Sequence, residues 1–289
     1  MRSFISFVAD IYLRISRPSD KNYRKEIDKL IKKGEIDWVM PKKTSFHDVE
    51  ESFFEGMKVY YINKQTDFRK VLFYIHGGYY LHQPLSFHIK MLERITKQSD
   101  VMIVFPIYPL APFHTVEESF DKMKALFEKT QNEYADKKII LSGDSAGGGY
   151  SLALAESLDK QPDELILLSP WVDITMSNPD IQKYRKIDPM LRYNKAVYAG
   201  NARRGNVDQN DYRVSPINGD LTKLKNVTIF MGTREVFCPD LNLLFNKLKD
   251  NNVSNIQLII GDKQAHVYPA FPSREGKQGV KQIAEIINR

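Results

Sequence analysis

The chain is short of cysteine and tryptophan, and it has no long apolar run. The single cysteine, Cys238, excludes an intramolecular disulfide framework and predicts a reducing, cytoplasmic compartment. No stretch of roughly 18 or more apolar residues occurs, so no transmembrane helix is expected. The opening MRSFISFVADIYLRIS is interrupted by Asp10 and Arg14, and no small-residue cleavage site follows, which argues against a signal peptide. Internal repeats and low-complexity segments are absent. Lys and Arg number 42 against 36 Asp and Glu, a net charge of +6, but the lysines are scattered and form no dense block. A nucleic-acid partner is therefore not expected. Nothing has the ligand spacing of a zinc site, and neither metal nor cofactor is predicted. What is present, 42% hydrophobic and 27% charged residues, suits a globular chain with a sizeable core.

The N-terminus reads as two amphipathic helices. Phe4, Val8, Ile11 and Ile15 share one face, and Pro18 ends that helix. Ser19 or Asp20 could cap a second, with Tyr23, Ile27, Leu30 and Ile31 on its apolar face and Gly34 as its stop. Residues 1–50 are expected to form a helical cap element whose apolar faces pack on the main body, in preference to a membrane-surface patch. From about residue 50 strands and helices alternate. Strands are predicted at Met57–Ile62, Val71–Ile75, Val101–Phe105, Lys138–Ser142, Glu164–Ser169, Val227–Met231 and Ile256–Ile260. Helical patterns run through Val116–Phe127, Tyr150–Leu158, Leu241–Leu248 and Val280–Ile287. The alternation predicts an α/β fold with a mostly parallel sheet over residues 51–289. Residues 172–218 hold no convincing buried strand, only a short helix near Asn194–Ala202. They read as an insertion that completes the cap.

Gly143-Asp144-Ser145-Ala146-Gly147 is a G-x-S-x-G motif between an apolar strand and a helical segment. A turn that tight needs glycine beside the serine and leaves the hydroxyl exposed above the sheet. Ser145 is thus the candidate nucleophile, and the N–H of Ala146 points to where an oxyanion would form, at a helix N-terminus. His76-Gly77-Gly78-Tyr79 directly follows the strand ending at Ile75, where further backbone donors to that oxyanion belong. His76 itself reads as a turn residue, and His82 and His88 as polar or partly buried groups of the same loop. His266, the only histidine after Ser145, is the candidate base. Glu235, on the loop after Gly232, is favoured as the acid over Asp240, which capping the next helix explains.

Taken together, HGGYY (76–80), YPLAPFH (108–114), GDSAGGG (143–149), SPWVD (169–173), GTREVF (232–237) and HVYPAF (266–271) resemble the hormone-sensitive-lipase-like family of α/β-hydrolases. The resemblance covers most of residues 70–275. It implies an α/β-hydrolase with a central, mostly parallel sheet, flanking helices and a helical cap. It further implies a catalytic triad of Ser145, Glu235 and His266, and an oxyanion hole from the backbone N–H groups of Gly78, Tyr79 and Ala146. Tyr79 stands where the family usually has a small residue. With Tyr80 it is expected to contact substrate and to narrow the acyl pocket. The expected activity is that of a serine carboxylesterase on small, short-chain acyl esters. The competing readings are a deacetylase or amidase of small acetylated compounds, and a lipase working at a membrane surface. A small-molecule receptor is disfavoured by the presence of both Ser145 and His266. The expected partner is a small ester, without nucleic acid or stable membrane insertion and with a homodimer allowed.

Overall fold

The computed structural model describes residues 2–16 and 20–289. Pro18 and Ser19, read above as a helix stop and a cap, lie outside the described residues. The chain opens with α1 (Phe4–Ser16) and α2 (Tyr23–Lys33). Gly34 closes α2 at a φ of 74°, its N–H donating to the carbonyls of Leu30 and Ile31.

The strands are β1 (Val49–Phe54), β2 (Met57–Ile62), β3 (Lys70–Ile75), β4 (Val101–Ile107), β5 (Lys138–Asp144), β6 (Glu164–Leu168), β7 (Val227–Gly232) and β8 (Gln257–Gly261). They form one sheet in the order β1-β2-β4-β3-β5-β6-β7-β8. β2 runs antiparallel to both β1 and β4, and every pair from β4 through β8 is parallel. Every strand expected from the sequence is there. β1 was not expected: as an outer strand it is largely exposed and carries Glu50 and Glu51, so no apolar run marks it.

The helices between strands are α3 (Ser86–Thr96), α4 (Val116–Glu133), α5 (Ala146–Glu156), α6 (Ile181–Tyr184), α7 (Tyr193–Arg204), α8 (Cys238–Asp250) and α9 (Arg274–Asn288). Alternate residues of each central strand serve opposite faces. Val71, Phe73 and Ile75 join the core built with α4, α5 and α8, whereas Leu72 and Tyr74 join the layer under α3 and α9. Each fully buried aliphatic or aromatic side chain contributes about 1.5–3 kcal/mol. The two layers hold the strands as a stiff platform whose C-terminal edge carries the loops described below. β3 is flanked by β4 and β5, so the chain departs in opposite directions on either side of it. A crevice forms at such a reversal.

Between β6 and β7, residues 172–218 contain no strand; α7 covers the helix expected near Asn194–Ala202, and α6 is an additional short helix that was not expected. This segment packs on α2: the Tyr23 and Tyr198 rings lie 6.3 Å apart, and the Asn194 N–H donates to Asp20 at 3.1 Å near the start of α7.

α1 reverses its expectation. Its inward residues are the polar Ser6 and Asp10. Asp10 pairs with Arg2, Arg14 and Arg234 at 3.5, 3.0 and 3.5 Å, and Ser6 Oγ donates to Gln264 Oε1 at 2.6 Å. The apolar stripe faces outward, with Phe4 and Ile15 78% and 80% exposed. The helix is anchored by ion pairs and hydrogen bonds, so its apolar periodicity marks the outer face.

Candidate active site

Ser145 joins β5 to α5 at φ 54° and ψ −120°, a left-handed conformation that an L side chain adopts only under constraint. Three backbone bonds supply the constraint. Its N–H donates to Leu168 O at 2.8 Å, and its carbonyl accepts from Trp171 N–H at 2.8 Å and Gly149 N–H at 3.0 Å. The flanking glycines are needed for close approach. A Cβ on Gly147 would lie 2.1 Å from Ile75 O, and one on Gly143 would lie 2.4 Å from Gly147 O. Ala146 is the first residue of α5, so its N–H has no acceptor within the helix.

The loop after β3 meets this turn because Ile75 pairs with Gly143 in register. Gly78, Tyr79 and Tyr80 follow at φ 121°, 61° and 60°. Asp144 ties the two loops together. Its Oδ1 accepts from Tyr74 Oη at 2.6 Å and Gly77 N–H at 2.9 Å, and its Oδ2 lies 3.2 Å from His88 Nε2. Leu85 N–H donates to His88 Nδ1 at 2.8 Å, so Nε2 carries the proton given to Asp144. Burial pushes Asp144 upward, but the bonds from His88, Tyr74 and Gly77 outweigh it and hold the carboxyl below its ordinary value. His76 is a turn residue, as read from the sequence. Its Nδ1–H donates to Gly77 O at 2.7 Å, and burial together with the nearby His88 pushes its pKa down to about 3.

The loops after β7 and β8 are brought together by the pairing of Gly232 with Gly261 at the ends of the two strands. His266 Nδ1–H donates to Glu235 Oε2 at 2.5 Å, and both side chains are buried. Glu235 Oε1 accepts from Gly232 N–H at 2.8 Å and from Ser169 Oγ at 3.0 Å. Ser169 Oγ in turn accepts from Val267 N–H at 3.0 Å. With its proton on Nδ1, His266 presents a lone pair at Nε2, a buried atom without a hydrogen-bond partner among the described residues. Ser145, Ser169 and Val267 all have positive φ, at 54°, 47° and 52°. Such strain gathers where a fold over-determines its backbone, and a β-branched Val at positive φ is especially costly. Asp240 reaches no histidine. It sits in the first turn of α8, bonded to Asn178 Nδ2 at 2.7 Å, and burial pushes its pKa up to about 7.

Ser145, His266, Gly78 and Tyr79 line one cavity of about 350 Å³. Leu85, Met190 and Leu191 form apolar wall, and Lys195 and His82, 2.9 Å apart, add polar groups to it. Tyr79 Oη accepts from Arg192 N–H at 3.0 Å, which holds the ring against the insertion. Tyr80 corrects the expectation of a substrate contact. It is 1% exposed and does not line the cavity. Its ring packs 5.7 Å from Trp171 and 5.1 Å beneath the Arg203 guanidinium, so it is a core residue under the loop. Sequence reading missed Ser169, His88 and Lys195 as parts of the site. Ser169 had a signal, since it opens SPWVD at the end of a strand. Lys195 had none, since it lies in an insertion without a motif.

A family profile described as the α/β-hydrolase fold matches residues 72–270. An esterase of Acinetobacter venetianus is 29% identical over 241 residues, which cover 80% of this chain and 78% of that protein. A Staphylococcus aureus structure solved as a candidate esterase superposes with a TM-score of 0.87 at 27% identity, over 96% of each chain. An esterase of the bacterial hormone-sensitive-lipase family shares the fold, with a TM-score of 0.82 at 22% identity over 99% of this chain and 98% of its own.

Proposed function

The chain belongs to the α/β-hydrolase family, and on that premise we propose that it is a serine carboxylesterase of the hormone-sensitive-lipase-like kind, acting on small acyl esters. The observation that carries the proposal is the buried Glu235–His266 pair, with its free Nε2, in the same cavity as a serine on a strained strand-to-helix turn.

In this reading Ser145 Oγ attacks the ester carbonyl while His266 Nε2 takes its proton. Glu235 keeps the imidazole in the Nδ1–H tautomer and stabilises the imidazolium. The backbone N–H groups of Gly78, Tyr79 and Ala146 receive the oxyanion, helped by the N-terminal dipole of α5. His266 then protonates the leaving alcohol, the acyl group stays on Ser145, and water activated by the same histidine releases it. Glu26 of α2 bonds to Arg192 and Lys195 in the insertion, which supports residues 1–50 and 172–218 acting together as a cap over the site.

A cavity of about 350 Å³, narrowed by Tyr79, is at the small end for ligand sites and supports short acyl chains. An acyl-length series of aryl esters tests this. Turnover should peak at short chains of about two to six carbons and vanish in Ser145→Ala. A lipase working at a lipid surface is a second reading, favoured by the outward apolar face of α1. Among the described residues no helix is long and apolar enough to cross a membrane. The lone Cys238, buried and free, supports the cytoplasmic reading.

A further inference from the structure

The cavity that Ser145 lines is apolar over most of its wall and carries one cationic side chain, Lys195. Lys195, projecting from α7, lines it while being only 5% exposed. An ammonium buried to that degree needs partners for its three N–H donors. One donates to Glu26 Oε2 at 3.2 Å and another to His82 Nε2 at 2.9 Å. The ammonium also lies 5.1 Å from the centroid of the Tyr79 ring, a contact that supplies no acceptor atom. The third donor has no acceptor among the described residues.

Charge around Lys195 is unbalanced. Arg192 donates to both oxygens of Glu26, at 3.0 and 2.8 Å, so two cations share one carboxylate. His82 adds no charge. Burial, reinforced by Lys195, pushes its pKa down to about 4, so it is neutral near pH 7 and its Nε2 accepts. Asp144 also borders the cavity, but its oxygens are occupied by Tyr74, Gly77 and His88.

Building on the esterase reading above, we infer that Lys195 sets specificity by receiving an anionic group, a carboxylate, carried by the ester at the end remote from its scissile carbonyl. A neutral aliphatic ester desolvates the ammonium and leaves a donor unpaired, whereas a carboxylate satisfies that donor and cancels the surplus charge. The apolar wall contacts the carbons between the two functional groups. Glu26 is a positioning residue: it fixes the Lys195 ammonium from α2, which makes the N-terminal element part of the specificity device.

Two matched pairs of esters test this, one for each side of the scissile bond. 4-Acetoxybenzoate is compared with its methyl ester, and mono-4-nitrophenyl adipate with 4-nitrophenyl hexanoate. The readout is the ratio of kcat/KM, anionic over neutral, in the full-length wild type, Lys195→Met and Glu26→Gln. In at least one pair Lys195→Met should lower the ratio about tenfold or more, mainly through KM. Glu26→Gln keeps a carbonyl acceptor to position the ammonium but removes the competing negative charge, so it should raise the ratio. The second variant also decides the matter if Lys195→Met does not fold. Ratios that stay within about twofold of the wild type in both pairs would overturn the inference and leave Lys195 a structural cation. A wild type that cleaves neither member of either pair would instead refute the esterase reading itself.

Discussion

His266 Nδ1 and Glu235 Oε2 lie 2.5 Å apart in a buried pair, while Asp240, the rival carboxylate, is bonded to Asn178. Of these two carboxylates, Glu235 is the one bonded to a histidine. Glu235→Gln should cut kcat/KM on an activated ester by as much as about 10⁴-fold, because an amide neither stabilises the imidazolium nor enforces the tautomer. Asp240→Asn should stay within a few-fold of the wild type. Steady-state kinetics on both folded variants checks this, and a larger loss in Asp240→Asn would reverse the assignment.

Asp240 should show itself in stability. Burial raises its pKa to about 7 in the folded protein, against about 3.9 unfolded. Between those values the folded state holds the proton that the unfolded state has lost. Its contribution to stability therefore falls as pH rises from about 4 and is fully lost above about 7. Asp240→Asn should flatten the stability profile across that window and gain on the wild type at pH 8, by on the order of a few kcal/mol. Denaturant midpoints across the window measure it, and parallel profiles for the two proteins would refute it.

Tyr79 occupies the wall of the cavity at a φ of 61°, a conformation glycine adopts freely. Tyr79→Gly should therefore fold, with the backbone donor at that position kept. It should shift the acyl-length optimum toward longer or more branched esters relative to acetate. An unchanged profile would remove Tyr79 from the account of chain length. Tyr80→Phe, by contrast, should leave the profile as it is, since that ring is buried beneath the loop.

The reversed α1 predicts an unusual mutational pattern. Phe4→Ser and Ile15→Ser should change stability by no more than about 0.5 kcal/mol, because both side chains already lie in solvent. Asp10→Ala should cost about 3 kcal/mol, because it strands Arg2, Arg14 and Arg234 around an empty position. Thermal or chemical melts of the three variants decide between this picture and a helix buried by its apolar face.

How much of this was legible in advance depends on where each residue's partners lie. Strands β2 to β8 could be read because burial on both faces leaves an apolar run, whereas β1, an edge strand with charges on its exposed face, leaves no such trace. That Ser145, Gly78 and His266 would meet in one cavity, with Glu235 bonded to His266, could be anticipated because each lies on a loop leaving a strand end, inside a local motif. The role of Glu26 could not be read, because its partners Arg192 and Lys195 are distant in sequence and meet it only in the folded cap. The faces of α1 were misread for a related reason. A helical period shows which residues share a face, and the ion pairs formed elsewhere decide which face turns inward.

The central claim is that Ser145 is an activated nucleophile. Its most direct test is active-site labelling with an alkoxy-fluorophosphonate, read by intact mass and peptide mapping alongside ester turnover. The account predicts a single adduct on the peptide bearing Ser145, and loss of both adduct and turnover in a folded Ser145→Ala variant. Turnover that survives in that purified variant, or an adduct on another residue, would contradict it.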